Sequence, residues 1–196
     1  EMTYDRNCTV MFATNTFLAN YAKHAHPYDL RSLRITGAGA EKLSEDVRAL
    51  YAAKFGIRIF EGYGATECAP IVSVQTFLAF GAGTVGELLP GMEAKIEPVA
   101  GIEQGGMLHV RGPNLMLGYL RETAPGRIEP PSSVFGEGWY STGDVVSIDD
   151  AGFLTLRGRV KRFAKVAGEM VSLETAEAIA VAASPNSSHA AVAIEE

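Results

Sequence analysis

The spacing of apolar residues changes twice within the first third of the chain. A β-prone run, Leu33–Thr36, leads directly into Gly37-Ala38-Gly39. From Glu41 to the stop signal at Gly56 the apolar positions recur at helical spacing, and Ile57–Phe60 is a second β-prone run. The helical positions are Leu43, Val47, Leu50, Tyr51 and Phe55. Strand, helix and strand within about 30 residues predict a βαβ unit with parallel strands.

Two glycine-rich segments follow these predicted strands. The first is GAG at residues 37–39, and the second is EGYGATE at residues 61–67. Ligands of parallel sheets bind beyond the carboxyl ends of the strands, and both segments fall there. We therefore expect a ligand pocket that the two segments share.

The pattern becomes β-rich from Gly81 onwards. Short β-prone runs broken by Gly and Pro predict an antiparallel sheet or a small barrel. Ala124–Ser133 has the composition of an exposed loop. Ser172 is suited to cap a helix at Glu174–Ala183, and His189–Glu196 has the composition of a further strand. The sequence predicts an α/β fold, with a βαβ part at 1–80 and a β-rich part at 81–160.

The composition narrows the class of protein. A net charge of −6, with 47% hydrophobic and 20% charged residues, is typical of a globular protein and gives no support to nucleic-acid or anionic-membrane binding. Cys8 and Cys68 lack metal-ligand spacing, which favours a reducing, cytoplasmic setting. No apolar run approaches the roughly 20 residues of a membrane-spanning helix, and no signal peptide is recognisable. The first residue is Glu1, so we expect a soluble piece of a longer protein.

The segment EGYGATE combines residue types that suit a nucleotide. The ring of Tyr63 offers a face for a purine, and Gly62 and Gly64 allow the backbone to approach a ligand closely. The hydroxyl of Thr66 can donate to a phosphate oxygen. Glu67 is a hard oxygen ligand for Mg²⁺, which prefers one or two carboxylates plus substrate phosphates. The alternative is a glycine-rich turn with a packed tyrosine.

Two later segments add polar chemistry. Asp144, after a Thr-Gly turn in YSTGD, can accept hydrogen bonds from both hydroxyls of a ribose, or it can cap the turn. A basic run follows, and its charges fit a solvated face, a local phosphate clamp or a nucleic-acid patch. Its members are Arg157, Arg159, Lys161, Arg162 and Lys165.

The order of these blocks resembles the acyl-adenylate-forming superfamily. The blocks are GAG (37–39), YGATE (63–67), GTVGELLPGM (83–92), GGMLHVRGPNLMLGY (105–119), YSTGD (140–144) and GRVKRFAKVAGEMVSLE (158–174). Within that superfamily, four segments are similar to the synthetase half of bacterial bifunctional enzymes that join an acyl-[acyl-carrier-protein] synthetase to a 2-acylglycerophosphoethanolamine acyltransferase. These segments are DRNCTVMFATNTFLANYA (5–22), GAGAEKL (37–43), EGYGATECAP (61–70) and the block at 158–174.

The resemblance implies a two-step reaction. A long-chain fatty acid attacks ATP to give acyl-AMP and pyrophosphate, and the phosphopantetheine thiol of acyl carrier protein then takes the acyl group. A separate acyltransferase domain of the parent would pass it to lysophosphatidylethanolamine at the cytoplasmic face of the bacterial inner membrane. Membrane association would come through that missing region. The third part of the chain, 161–196, is implied to be a hinge and the truncated start of a small C-terminal domain.

The resemblance also implies site residues. Tyr63 would stack on adenine, beside a base pocket formed by Gly37, Ala38 and Gly39. Thr66 would contact the α-phosphate and Glu67 the Mg²⁺, these two being the implied catalytic residues. In the later blocks, Asp144 would hold the ribose with Arg159 nearby, Lys161 would be the hinge, and Gly168 would edge the pantetheine tunnel.

Parts of the superfamily pattern are missing from this chain. The phosphate loop is expected before Glu1 and the adenylating lysine after Glu196, so we expect the chain alone to be inactive. Two other functions stay open, namely a fragment of a fatty acyl-coenzyme A ligase and a non-catalytic nucleotide-binding module. His24 and Asp29 also match the His-x4-Asp spacing of glycerolipid acyltransferases, but His-Pro-Tyr-Asp at 26–29 is interpreted as a turn.

Overall fold

The computed structural model describes residues 1–166, 169–185 and 187–194. The chain divides into two compact units, residues 1–90 and residues 91–196. The three-part division at 80/81 and 160/161 stays a prediction. Residues 87 and 88 pair with a strand of the first unit, so that unit extends beyond residue 80. Gly168, predicted at the thiol tunnel, lies outside the described residues.

The described residues form four helices, thirteen short strands and three 3₁₀ turns. The helices are α1 (Met2–Asp5), α2 (Asn15–His24), α3 (Glu45–Phe55) and α4 (Leu173–Ala183). The strands of the first unit are β1 (Val10–Ala13), β2 (Ile35–Ala38), β3 (Ile59–Gly64), β4 (Ile71–Val74) and β5 (Glu87–Leu88). The strands of the second unit are β6 (Glu93–Glu97), β7 (Gly106–Arg111), β8 (Tyr119–Leu120), β9 (Ile128–Glu129), β10 (Tyr140–Ile148), β11 (Leu154–Arg159), β12 (Phe163–Val166) and β13 (Glu169–Ser172). The 3₁₀ turns are Pro27–Leu30, Thr66–Cys68 and Val160–Arg162.

The first unit is built on a five-stranded sheet in the order β1-β2-β3-β4-β5. Strands β1, β2 and β3 are parallel, and β3, β4 and β5 are antiparallel. The predicted parallel strand pair is confirmed as β2 and β3, joined through α3. Ser44 caps α3 by accepting from the backbone N–H of Val47, and Gly56 ends it with a left-handed φ of 65°. The helix therefore begins four residues later than Glu41, where the apolar spacing starts.

Helices α2 and α3 cover one face of this sheet. The two helices pack their buried residues against β2 and β3 to form the core of the first unit. The members of this core are Leu18 and Ala22 of α2, Val47 and Tyr51 of α3, Ala38 of β2, Ile59 of β3, and the loop and turn residues Leu30 and Leu43. The hydroxyl of Tyr51 donates to the carbonyl oxygen of Leu18 at 3.1 Å, which joins the two helices. Burial raises the pKa of Tyr51 to about 12, with a smaller contribution from Tyr21.

The second unit is built on a four-stranded antiparallel sheet in the order β11-β10-β7-β6. Its interior contains Leu108, Val110, Val145, Val146 and Leu154, all without solvent exposure. Two-stranded hairpins, β8–β9 and β12–β13, accompany the sheet, and α4 contacts β13. Among the described residues the sheet stays open, so the small-barrel alternative is wrong and the antiparallel one is confirmed.

The helix predicted near the end of the chain is confirmed as α4, one residue longer than expected. The Ser172 hydroxyl accepts from the backbone N–H of Thr175 at 3.3 Å, as the sequence predicted for a cap. Two other predictions differ from the structure. The expected loop at Ala124–Ser133 contains the short strand β9, and residues 187–194 are not in a strand. In the part of the chain that the structure describes, every helix is too short or too polar to cross a bilayer.

Candidate functional site

A cavity of about 930 Å³ lies against the first-unit sheet and borders helix α2. It is lined by both glycine-rich segments, at the carboxyl ends of β2 and β3, where the topology predicted a pocket. Seven of the predicted nucleotide-binding residues line it, namely Gly37, Ala38, Gly39, Gly62, Tyr63, Gly64 and Thr66. The structure therefore brings these residues together within one unit.

Most of the remaining lining is apolar. Aromatic and aliphatic side chains contribute much of the wall, among them Phe12, Phe17, Tyr21, Ile35, Phe60, Ile71, Val74 and Phe77. Polar side chains come from Thr14, Gln75 and Thr76 as well as Thr66. A cavity of this size with a few polar groups in an apolar wall is typical of a small-molecule site.

The segment Gly62-Tyr63-Gly64 lies in strand β3 rather than in a loop beyond it. These residues pair with Val74, Ser73 and Ile71 of β4, respectively. A methyl group at position 64 would lie 2.8 Å from the carbonyl carbon of Pro70 and closer still to its oxygen. Glycine is therefore required at 64 by the neighbouring strand, and a ligand is not needed to explain it, contrary to the reason that the sequence suggested.

Tyr63 is largely covered by protein, with 8% of its surface exposed. The strand that carries Tyr63 is held at Glu61 by Gln75, a buried residue that sequence reasoning missed. The Gln75 carbonyl oxygen accepts from the backbone N–H of Glu61 at 2.9 Å, and its amide nitrogen donates to the carbonyl oxygens of Gly81 and Thr84 at 2.6 and 2.9 Å. One side chain thus joins the start of the motif to the loop after β4, while also lining the cavity.

The loop after the GAG segment is held by Glu41, whose carboxylate accepts from the N–H and the hydroxyl of Thr16 at 2.9 and 2.8 Å. These hydrogen bonds lower the pKa of Glu41, chiefly through the Thr16 backbone N–H. Asn15 accepts from the Ser44 backbone N–H at 2.9 Å, just beyond this loop. The hydrogen bonds of Glu41 and of Asn15 both connect this loop to the first turn of α2. An acidic residue near a helix N-terminus is a known stabilising feature, but Glu41 is 25 residues away from Thr16 in sequence, so the sequence alone did not reveal it.

Thr66 and Glu67 begin the 3₁₀ turn that follows β3. Thr66 is exposed at the cavity, whereas Glu67 is half-buried and is not among the cavity-lining residues. No group of three or more metal-binding side chains occurs in the described ranges. Mg²⁺ ordinarily takes one or two carboxylates and completes its shell with phosphate oxygens and water, so a single carboxylate here fits that metal.

Cys68 closes this turn and has no solvent exposure. Burial raises the pKa of the Cys68 thiol to about 11, and the negative charge of Glu67 adds to the effect. The thiol therefore stays protonated at neutral pH and serves as a packed apolar group.

Asp144 lies in the second unit, within strand β10. Between Ser141 and Val145 the strand carries two more residues than its partner β7, since Ser141 pairs with His109 and Val145 with Met107. Gly143, with φ 73°, lies in this bulge. The expected Thr-Gly turn is thus a bulge in a continuous strand. Asp144 is 7% exposed, and Arg159 of β11 donates to its Oδ1 from Nε at 2.9 Å.

The basic run extends from the end of β11 through the turn that follows it to Lys165 in β12. Arg157 donates to Ser147, and Arg162 donates twice to the Glu177 carboxylate at 2.8 Å. With Arg159 on Asp144, three of the five basic residues are engaged inside the second unit. These contacts favour a solvated, locally paired face over a nucleic-acid patch. Lys161 is exposed in the Val160–Arg162 turn between two strands.

His26 and His109 make hydrogen bonds that hold the local structure. His26 accepts from the Tyr28 backbone N–H through Nδ1, and Asp29 accepts from the His26 backbone N–H at 2.7 Å. The predicted turn at 26–29 is therefore confirmed. In the second unit, His109 is fully buried and its two ring nitrogens lie 2.8 Å from Ser133 Oγ and from Glu97 Oε2.

Comparison with known proteins gives the family. The model of the AMP-binding enzyme family matches residues 1–120. A long-chain-fatty-acid–CoA ligase of Escherichia coli O157:H7 is 34% identical over 159 residues, covering 79% of this chain and 27% of the relative. A 4-coumarate–CoA ligase-like protein of Arabidopsis thaliana is 36% identical over 166 residues, covering 79% of this chain and 29% of the relative. The chain thus spans little more than a quarter of these relatives.

Solved structures agree with the fold. The ATP-bound MatB structure from Rhodopseudomonas palustris superposes with a TM-score of 0.75 at 26% identity, over 92% of this chain and 36% of that one. Unliganded O-succinylbenzoate coenzyme A synthetase from Bacillus subtilis gives a TM-score of 0.73 at 26% identity, over 92% of this chain and 39% of that one. The α/β fold predicted for an adenylate-forming enzyme fragment is confirmed, and the chain belongs to the AMP-binding enzyme family.

Proposed function

We propose that this chain is part of an enzyme that activates a long-chain fatty acid with ATP. The carboxylate oxygen of the acid attacks the α-phosphorus, pyrophosphate leaves, and acyl-AMP forms. A thiol then attacks the acyl carbon and releases AMP. The observation that carries this proposal is the cavity, because its wall joins the two nucleotide-type glycine segments to a largely apolar lining. Such a wall suits a ligand with both a polar head and an alkyl chain.

The predicted residues take the following roles in this proposal. Tyr63 contacts the adenine, with Gly37, Ala38 and Gly39 beside the base. Thr66, exposed at the cavity, donates its hydroxyl to the α-phosphate. Glu67 would hold Mg²⁺, which would neutralise charge on the phosphates.

In the second unit, Asp144 would take the ribose hydroxyls, and Arg159 would lie near the ribose and the phosphate. The geometry adds a condition to this role. Because Arg159 already donates to Asp144, the ribose must share the carboxylate with the guanidinium or displace it. A carboxylate has about four acceptor sites, so sharing is chemically feasible. Arg159 is mostly exposed, which leaves its remaining donors open to a phosphate.

The thiol acceptor that we propose is the phosphopantetheine of acyl carrier protein. Support comes from the similarity of residues 161–174, KRFAKVAGEMVSLE, to the bifunctional acyl-carrier-protein enzymes. In that setting Lys161 would be the hinge between domains and Gly168 would edge the thiol tunnel. A further domain would pass the acyl group to lysophosphatidylethanolamine at the cytoplasmic face of the inner membrane.

Coenzyme A is the second candidate for the acceptor. The names of the relatives favour it, since those reported above are described as CoA ligases. Acyl transfer separates the two acceptors directly. Given palmitate, ATP and equal concentrations of the two thiols, the longer protein that carries this chain is expected to acylate the carrier protein. If only coenzyme A is acylated, then coenzyme A is the acceptor and the carrier protein is not. If pyrophosphate is released without any fatty acid, the proposed activation of a fatty acid is wrong.

The ribose role of Asp144 is tested by Asp144→Ala in the longer protein. Two charge-assisted hydrogen bonds, each of roughly 1.5–3 kcal/mol, would be lost, so the Kd for ATP should rise at least about tenfold. Palmitate binding should change less. Asp150→Ala is the matched control, since Asp150 is an exposed aspartate in the loop between β10 and β11. If calorimetry gives the same ATP affinity for Asp144→Ala and Asp150→Ala, then Asp144 serves only to pair with Arg159.

A further inference from the structure

A glycine flanked by two phenylalanines lies on the cavity face of the first-unit sheet. The strand register pairs Phe12 of β1 with Gly37 of β2, and Gly37 with Phe60 of β3. Paired residues of neighbouring strands share a face, so the three form one row across the sheet. All three line the cavity.

The ring of Phe12 covers the position where Gly37 lacks a side chain. A methyl group built at position 37 would lie 2.6 Å from Cε1 of that ring and closer still to Cδ1. Real Cβ atoms essentially never approach so closely, so the ring and a side chain at 37 exclude each other. Phe12 is nevertheless 73% exposed. Its ring therefore rests on Gly37 on one side and has open space on the other.

The cavity wall is mostly apolar on the Phe12 side, although Thr14, which directly follows β1, is a polar residue there. Phe12 and Ile35 come from β1 and β2, and Phe17 and Tyr21 come from α2, which directly follows β1. The polar groups of Thr66, Gln75 and Thr76 belong to the segments that follow β3 and β4, beyond the middle of the sheet. An acid bound with its head at the polar side directs its alkyl chain towards β1.

We propose that Phe12, resting on Gly37, determines the length of the acyl chain that this cavity accepts. This inference rests on the proposed function, in which the cavity binds a carboxylic acid. The ring closes the space above Gly37, and a small residue at position 12 would open that space to additional methylene groups. A side chain at position 37 would lift the ring away from the sheet and shorten the cavity.

The test uses the longer protein that carries this chain and a fluorescent fatty acid, cis-parinaric acid, displaced by octanoate, laurate or palmitate. Phe12→Ala is expected to raise the preference for palmitate over octanoate by about tenfold, the effect of roughly two buried methylene groups. Gly37→Ala is expected to lower that preference in the wild-type background and to have little effect beside Phe12→Ala, because the ring that it displaces is gone. Leu78→Ala is the control, since Leu78 is fully exposed and is not a cavity-lining residue.

The outcomes separate the inference from the function on which it rests. If no acid displaces the probe from the wild-type longer protein, the proposed function fails and the inference fails with it. If acids bind but Phe12→Ala and Leu78→Ala give the same palmitate-to-octanoate ratio, only the inference fails. An effect of Gly37→Ala that is independent of Phe12 would also overturn it. Circular dichroism of each variant checks folding, and exposed Phe12 can be truncated without loss of core packing.

Discussion

Replacement of Gly64 by alanine tests whether the central motif is constrained by its own strand pair. The added methyl group would lie 2.8 Å from the Pro70 carbonyl carbon and 3.1 Å from Ile71 Cα. Both are backbone atoms, so no side-chain rotation can relieve the contact and β3 must move away from β4. That movement weakens the hydrogen bond from the Ala65 N–H to the Pro70 oxygen, 2.8 Å long.

The magnitude follows from these two effects. Overpacking costs about 1–3 kcal/mol and a weakened hydrogen bond about 0.5–1.5 kcal/mol, so Gly64→Ala should lower the free energy of unfolding by about 2–4 kcal/mol. With a urea slope of about 2 kcal/mol per molar, the middle of the usual range, the midpoint should fall by about 1–2 M. Gly39→Ala is the matched control on the same cavity, because its methyl group would meet nothing closer than the Gly62 oxygen at 3.7 Å.

Urea unfolding followed by far-UV circular dichroism measures the change. The single tryptophan, Trp139, lies in the second unit and reports that unit separately by fluorescence. The circular dichroism transition is expected to move to lower urea while the fluorescence transition moves less. Equal midpoints for Gly64→Ala and Gly39→Ala would refute the reasoning, and glycine at 64 would then have to be explained by a ligand.

Three further predictions concern other parts of the chain. Tyr51→Phe removes the hydrogen bond from the Tyr51 hydroxyl to the Leu18 carbonyl, which lies within α2, and should lower the free energy of unfolding by about 0.5–1.5 kcal/mol in thermal unfolding. The cost should shrink as the pH rises from 10 towards 12, because the raised pKa of Tyr51 means that the wild-type chain loses stability over that range. Iodoacetamide at pH 8 should alkylate Cys8 and spare buried Cys68, with its pKa of about 11, until urea is added; equal rates in the folded chain, measured by mass spectrometry, would contradict this. In the longer protein, Lys161→Pro should keep pyrophosphate exchange and lose acyl transfer to the thiol, because proline restricts the backbone of the hinge. The control variant Lys161→Ala should keep both half-reactions. Equal loss of both half-reactions in the proline variant would indicate misfolding rather than a blocked hinge.

Local signals predicted the βαβ unit and the C-terminal end of its helix well. The helical apolar spacing ends at Gly56, which has the left-handed φ expected of a stop, and Ser172 caps α4 as expected. These features depend on interactions within a few residues, so one segment of sequence contains the whole signal. The start of α3 was less clear, because the apolar residue Leu43 belongs to the loop before the Ser44 cap.

The placement of the motif residues depends on contacts between distant segments. Gly64 lies in a strand because β4 pairs with it, and a glycine-rich sequence by itself favours a loop. Gln75 is one polar residue in an apolar run, and nothing nearby in sequence indicates that its amide joins three separate backbone groups. Sequence could therefore name the glycine-rich part of the cavity lining, but it could not supply the rest of the wall or say which glycines the strands themselves require.

The bulge in β10 also has a meaning for the evolution of the chain. It adds two residues, an even number, so Val145 and Val146 keep the same faces that they would have in an uninterrupted strand. A single inserted residue would have turned every following side chain to the opposite face of the sheet. Removal of both Thr142 and Gly143 would instead place Asp144 opposite Leu108, in the dry interior. A two-residue insertion is thus a short evolutionary route by which a hydrophobic hairpin can acquire an acidic group in mid-strand and keep its core.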